Sequence, residues 1–174
     1  MNYNPDINPE RIPAKVQLIK VNNDPALIHE LKSLLIQYGN YMYQELGLVA
    51  GIEKFYKELE NLPGSDYIEP LGTFVIAKIG KEVAGCVGIK KFDDNSCEMK
   101  RMYVERNYRG KGIGQLLCNF VITWSQKAMY KRILLDTNVE MKEAVLLYKK
   151  CGFEEIEPYC INENEHPVFL QYIL

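Results

Sequence analysis

The sequence predicts an α/β protein with a central mixed, mostly antiparallel sheet and helices on both faces. Three observations carry that expectation. Between Gly72 and Val104, apolar strand-like segments follow one another across short polar turns. After Val104 the period changes twice, from strand to helix and back, which is the pattern of α/β crossings. Before Gly72, apolar residues recur at helical spacing over a long stretch. A run of antiparallel strands followed by two crossings gives a mixed sheet that needs helices on each side.

The elements follow in order. Residues 1–14 hold three prolines and three asparagines with few apolar groups, and read as a tail ahead of a single domain over 15–174. A short strand is expected at Val16–Val21. Asp24-Pro25 marks a helix start, with Asp24 as cap and Pro25 in the first turn. Leu27, Ile28, Leu31, Leu34, Leu35, Tyr38 and Met42 share its apolar stripe, and the helix is expected to reach about Leu46. A shorter helix over Glu53–Glu60 ends at Leu62-Pro63-Gly64. Strands are expected at Thr73–Ile79 and Val83–Phe92, joined by the Gly80-Lys81 turn, and at Cys97–Val104. In that third strand a period of two puts Glu98, Lys100 and Met102 on one face and Met99, Arg101 and Tyr103 on the other. A helix carrying Ile113, Leu116, Leu117, Phe120, Val121 and Trp124 follows. A buried strand over Arg132–Thr137, a helix over Met141–Cys151, and closing strands at Phe153–Ile156 and Val168–Ile173 complete the chain.

Composition narrows the function classes. The net charge of −2 excludes a general nucleic-acid footprint. No run of apolar residues is long enough to span a bilayer, which needs about 20. Five cysteines without CxxC spacing point to reduced thiols and a cytoplasmic location, and with only two histidines no metal site is expected.

Against that acidic balance, Arg109-Gly110-Lys111-Gly112-Ile113-Gly114 stands out between a strand and a helix. The first N–H groups of a helix lack internal partners and carry partial positive charge. Glycines let an anion approach those amides without meeting a Cβ atom, and Arg109 and Lys111 add charge. Phosphate or pyrophosphate is the expected ligand. The dinucleotide pattern GxGxxG fails at Gln115, and no GK[ST] follows to make a P-loop.

The Arg-x-x-Gly-x-Gly junction resembles the acyl-CoA-binding motif of the GNAT (Gcn5-related) N-acetyltransferases. The resemblance extends by element order from about Val16 to Leu174 and includes the strand from Glu98 to Val104, Leu135-Asp136-Thr137, and the segment from Ala144 to Phe153. It implies the acyl-CoA N-acyltransferase fold, with acetyl-CoA as the cofactor and a small-molecule or peptide amine as acceptor. It implies that residues Gly110, Lys111, Gly112, Ile113 and Gly114, with Arg109, hold the CoA pyrophosphate. It further implies that the strand at Met102, Tyr103 and Val104 pairs its backbone with the pantetheine. Many members have Asn seven residues before the helix tyrosine, where this chain has Met141; Asn138, nearby but out of register, is kept as a candidate cofactor contact. Members of the family are often dimers, which makes a homodimer possible here.

Two residues are candidates for the chemistry. Tyr148 matches the family's helix tyrosine; a phenol with a reference pKa near 10 stays protonated at neutral pH and can donate to a departing thiolate, whose thiol has a pKa of about 8.5. Its alternative is a core tyrosine beside Leu147. Glu98 lies eleven residues before Arg109, where the family often carries a glutamate base. Its alternative is a strand carboxylate paired with Lys100. Tyr38, Tyr41 and Glu45 recur at helical spacing and would suit a cationic acceptor, or else continue the apolar stripe and its edge. A non-catalytic acyl-CoA sensor or partner-binding module on the same scaffold is the alternative function.

Overall fold

The computed structural model describes residues 16–174, so the expected tail at 1–14 lies outside the described residues. Seven strands form one sheet in the order β1-β2-β3-β4-β5-β7-β6. They are β1 (Val16–Val21), β2 (Thr73–Ile79), β3 (Glu82–Lys91), β4 (Ser96–Val104), β5 (Arg132–Asn138), β6 (Glu154–Glu155) and β7 (Pro167–Ile173). Every neighbouring pair is antiparallel except β4 and β5. The helices are α1 (Pro25–Asn40), α2 (Ile52–Glu60), α3 (Ile113–Lys127) and α4 (Lys142–Lys150). The element order is the expected one, and most boundaries agree within one or two residues.

The two cores follow from the sheet's two faces. Leu31, Leu34, Leu35 and Tyr38 of α1 and Phe55 and Leu59 of α2 pack with Phe74, Ile76, Cys86 and Tyr103. On the opposite face Ile113, Leu117, Val121 and Trp124 of α3 and Tyr148 of α4 pack with Val75, Val87, Ile89, Ile133 and Leu135. Pairing this apolar surface is what holds helices to both sides. Asp24 caps α1 as expected, accepting a hydrogen bond from the Ala26 amide at 2.8 Å.

Two departures from the expected pattern matter for function. The first helix does not run regularly to Leu46: after Asn40 it widens into a π-turn over Tyr41–Glu45. The extra residue per turn rotates the side chains that follow relative to Tyr38. In β4 a bulge breaks the alternation. Cys86 pairs with Tyr103 and Gly88 with Lys100, so Arg101 and Met102 face the single residue Val87. Met102 therefore does not share a face with Glu98 and Lys100: Cys97 and Met99 before the bulge, and Met102 and Val104 after it, all pack toward α3, while Tyr103 packs toward α1.

Arg101 adopts φ +57°, a left-handed conformation that costs a non-glycine residue roughly 1–2 kcal/mol. Its side chain is held from α2. Nη2 and Nε donate to the two Glu58 carboxylate oxygens at 2.6 and 3.3 Å, and the guanidinium lies 4.9 Å from the Phe55 ring centroid. Burial raises the Glu58 pKa, but hydrogen bonds and charge from Arg101 outweigh it and hold the carboxyl below its ordinary 4.5. That stabilisation is complete above pH 4.5 and is lost as pH falls through the lower folded-state value. Denaturation midpoints should decline in that acid window, and Glu58→Gln should remove part of the decline, as urea titrations across pH will show.

Candidate active site

Strand β4 pairs with β5 only through Ser96–Arg132, Cys97–Ile133 and Glu98–Leu134. Beyond Glu98 the two parallel strands part, while β5 stays bonded to β7 as far as Asn138. A wedge opens where β4 carries Met102, Tyr103 and Val104. Two cavities occupy it, of about 520 Å³ and 470 Å³.

The larger cavity runs from the wedge to the start of α3. It is lined by Met102, Tyr103, Val104, Arg109, Gly110, Gly112, Ile113 and Gly114, among others, and by Tyr41 from the π-turn. Gly110 and Gly112 take φ +75° and +79°, conformations that bring the loop amides round to the helix axis and that side chains resist. The first backbone hydrogen bond of α3 runs from the Leu116 amide to the Gly112 carbonyl at 3.0 Å. Among the described residues, the N–H groups of 110–115 donate to no protein acceptor. Six amides without a protein acceptor at a helix start form a ready anion cradle.

Arg109 supports the cradle differently from expectation. Its Nε donates to the Val104 carbonyl at 3.1 Å, and its guanidinium stacks on Tyr41 and Tyr103 at 4.7 and 5.6 Å. It thus fastens the loop to the end of β4 while leaving other N–H groups at the cavity wall. Lys111 lies over the Tyr108 ring at 5.1 Å. Gly114 serves packing as well as access, since a Cβ there would stand 2.8 Å from Leu147 Cδ2.

The smaller cavity lies on the other side of the wedge, lined by Tyr38, Tyr43, Glu58, Lys90, Lys100, Arg101 and Asp136, and by Asn162, Glu163 and Asn164 of the loop before β7. Three side chains line both cavities: Met102, Met141 and Tyr148. Tyr148 is buried on α4, and burial pushes its phenol well above the ordinary value of 10. No described residue makes a hydrogen bond to its hydroxyl. It is a protonated donor at the point where the two cavities meet.

The other sequence-predicted residues are distributed less simply. Glu98 is buried but lines neither cavity: its Oε1 accepts from the Tyr159 hydroxyl at 2.9 Å, and Lys90 and Lys100 approach at 3.4 and 3.6 Å. Asn138 turns from the larger cavity to the loop before β7, donating to the Glu165 carbonyl and accepting from the Glu140 amide at 2.9 Å. Tyr38, Tyr41 and Glu45 do not come together, because the π-turn separates them. Tyr38 reaches the smaller cavity, Tyr41 the larger, and Glu45 is exposed and paired with Arg106.

The sequence offers Lys100 only as a partner for Glu98, and its contact with Asp136 is not anticipated there. Lys100 Nζ meets Asp136 Oδ1 at 2.7 Å across the parting strands, and Asn162 donates to Asp136 Oδ2 at 2.8 Å. Burial lowers the Lys100 pKa, but Asp136 and Glu98 more than reverse this, and the ammonium ends above its ordinary value. Burial likewise raises the Asp136 carboxyl, and Lys100 overrides it and holds it low. Glu98, Asp136 and Cys160 could bring three ligand atoms within 4.8 Å of one another, but the Lys100 ammonium already sits against both carboxylates.

A parted β4–β5 pair, an amide cradle at a helix start and a tyrosine between two cavities coincide with a family match. Residues 36–153 match the Acetyltransferase (GNAT) family. This chain belongs to the GNAT acetyltransferase family. An uncharacterized N-acetyltransferase of Schizosaccharomyces pombe is 34% identical over 149 residues, covering 84% of this chain and 88% of its own length. A Streptococcus agalactiae acetyltransferase superposes with a TM-score of 0.77 at 19% identity, covering 93% of this chain and 100% of its own. A GNAT acetyltransferase of Elizabethkingia anophelis, solved with acetyl-CoA bound, superposes with a TM-score of 0.64 at 20% identity, covering 93% and 100%. The chain is an N-acetyltransferase, and acetyl-CoA is the cosubstrate of its family. No helix among the described residues is long and apolar enough to cross a membrane.

The GNAT cradle can be tested at its cap. Gly112→Ala forces a side chain into the left-handed region at a cost of roughly 1–2 kcal/mol. We expect a fall in melting temperature of about 2–8 °C, at 2–4 °C per kcal/mol for a chain of this size. Weaker acetyl-CoA binding by calorimetry should accompany it.

Proposed function

We propose that the enzyme moves an acetyl group from acetyl-CoA to a primary amine by direct attack within a ternary complex. The observation that carries this reading is the placement of Tyr148, Met102 and Met141 in the walls of both cavities, so that two substrates entering separately meet at one phenol. The cradle at 110–115 binds the pyrophosphate. The β4 backbone at Met102–Val104, free of β5, receives the pantetheine as an added strand would. Val104 contributes least, because Arg109 already occupies its carbonyl.

In this reading Tyr148 donates its proton to the departing thiolate and regains one from the water that takes up the amine proton, so the enzyme ends the cycle as it began. The raised phenol pKa keeps it protonated through the working range, and its lack of a described hydrogen-bond partner leaves the hydroxyl available. Arg109 and Lys111 position the cradle loop. Both Glu98 oxygens already face partners, Tyr159 and Lys100 at Oε1 and Lys90 at Oε2, and Glu98 lines neither cavity, so it acts indirectly, holding the Lys100 ammonium by charge. Glu58 and Asp136 are held ionised below their ordinary range, which makes them weak bases. The amine proton accordingly passes to water in the smaller cavity. Retention of a donor phenol at the junction favours an enzyme over an acyl-CoA sensor. All five cysteines lie free in the structure, which fits the proposed cytoplasmic setting. A single domain over 15–174 and a homodimer remain part of the reading.

Free-thiol release from acetyl-CoA over a panel of amines tests the activity. Tyr148→Phe should lower kcat by about 10²-fold, the lower range for a general acid, with acetyl-CoA affinity unchanged. An undiminished kcat would remove the acid role. Glu98→Gln should keep the wild-type rise of rate with pH; a flattened rise would instead make Glu98 the base.

A further inference from the structure

The hydrogen-bond inventory of the smaller cavity is lopsided. Every oxygen of its two inner carboxylates already has a partner. Glu58 Oε1 accepts from Tyr67 and from Arg101 Nε, and Glu58 Oε2 accepts from Arg101 Nη2. Asp136 gives Oδ1 to Lys100 and Oδ2 to Asn162. The cations have donors left over. Arg101 carries five N–H groups and spends two on Glu58; Lys100 carries three and spends one on Asp136. Lys90 approaches Glu98 only at 3.4 Å. Lys54 and Glu163 are both exposed and offset one another in charge.

The bulge in β4 explains why two adjacent cations reach the same cavity. Ordinary alternation would send Lys100 and Arg101 to opposite faces, whereas the left-handed turn at Arg101 re-aims its side chain, and both line this space. They precede Met102, at the cavity junction, by two residues and one residue. Both cations thus share one wall of the smaller cavity with the residue at its junction.

We propose that the acceptor is a free amino acid, whose carboxylate is held by Lys100 and Arg101 while its amine meets the thioester beside Tyr148. The inference rests on the N-acetyltransferase reading above and adds the substrate class. Spare charged donors in a partly desolvated space favour a carboxylate strongly, since charge-assisted hydrogen bonds are about twice as strong as neutral ones. With four cations, Lys54, Lys90, Lys100 and Arg101, against the three carboxylates Glu58, Asp136 and Glu163, the lining offers a polyamine no net attraction. This departs from the cationic acceptor that Tyr38, Tyr41 and Glu45 suggested in the sequence, for Glu45 lies outside the cavity and the cations lie inside it. Burial opposes the Lys100 charge, but Asp136 and Glu98 secure it, so the donor persists through the working pH range.

The experiment compares matched acceptors in the thiol-release assay: glycine, alanine, leucine and phenylalanine, each against its α-carboxamide, with spermidine as the polycation. The amide's amine is less basic than that of the free acid, so more of it is unprotonated near neutral pH. Intrinsic reactivity therefore favours the amide, and a preference for the acid reports recognition. We expect kcat/KM at least about tenfold higher for one or more acids than for the matched amide. That factor corresponds to about 1.4 kcal/mol. Lys100→Met should raise KM for that acid by about tenfold or more and leave KM for acetyl-CoA and for the amide unchanged. Lys100→Arg should restore most of the loss.

Equal or higher kcat/KM for the amides, or turnover of spermidine alone, would overturn the carboxylate assignment and leave the acetyltransferase reading intact. If no amine releases thiol, that reading fails, and the carboxylate site is judged by thermal shift of the CoA-saturated protein. Millimolar amino acid should then raise the melting temperature where its amide does not, through preferential binding to the folded state. Absence of any shift would overturn the site as well.

Discussion

The bidentate contact between Arg101 and Glu58 is the constraint on which the working parts depend. It holds one residue of β4 in a left-handed conformation, and from that residue several consequences spread. The strand gains a residue relative to β3, so Met102 and Val104 turn toward α3 and Tyr103 toward α1. The strand also leaves β5 just before this point. A continuous β4–β5 ladder would fill the wedge with main-chain hydrogen bonds. Parted strands instead leave main-chain groups of β4 unpaired with β5.

A second ionic contact acts at the edge of the same opening. Lys100 and Asp136 meet across the gap directly after pairing ends, with Asn162 closing the second Asp136 oxygen. Burying two charges is expensive unless geometry and further hydrogen bonds compensate. Here each Asp136 oxygen has a partner, and Lys100 keeps donor capacity facing the cavity. The pair therefore bridges the strands and also leaves a charged donor toward the smaller cavity. Glu98, which lines neither cavity, stands behind it and offsets the charge of Lys90 and Lys100.

Much of this architecture was legible in the sequence. The strand and helix periods, the Asp24-Pro25 start and the Gly80-Lys81 turn report local chemistry, and the structure follows them. The glycine junction was legible because its signal is contiguous and its physics is backbone physics. Local pattern failed where tertiary contacts decide conformation. No residue near Arg101 announces a left-handed turn, because the group that stabilises it, Glu58, comes from a distant helix. The alternation assumed for Glu98, Lys100 and Met102 broke there. The π-turn at Tyr41–Glu45 had a similar effect on the grouping of Tyr38, Tyr41 and Glu45. Lys100 and Asp136 were invisible as a pair because they lie 36 residues apart on strands that meet only in the folded sheet.

Among the described residues the two cavities share three wall residues, and in the proposed binding mode main-chain amides grip the pyrophosphate. Evolution can therefore rewrite the loop before β7 and the charged floor, trading one nitrogen compound for another, while the thioester's berth stays as it is. Such decoupling lets a lineage explore new metabolites by a handful of point changes without first relearning how to hold its energy-rich partner.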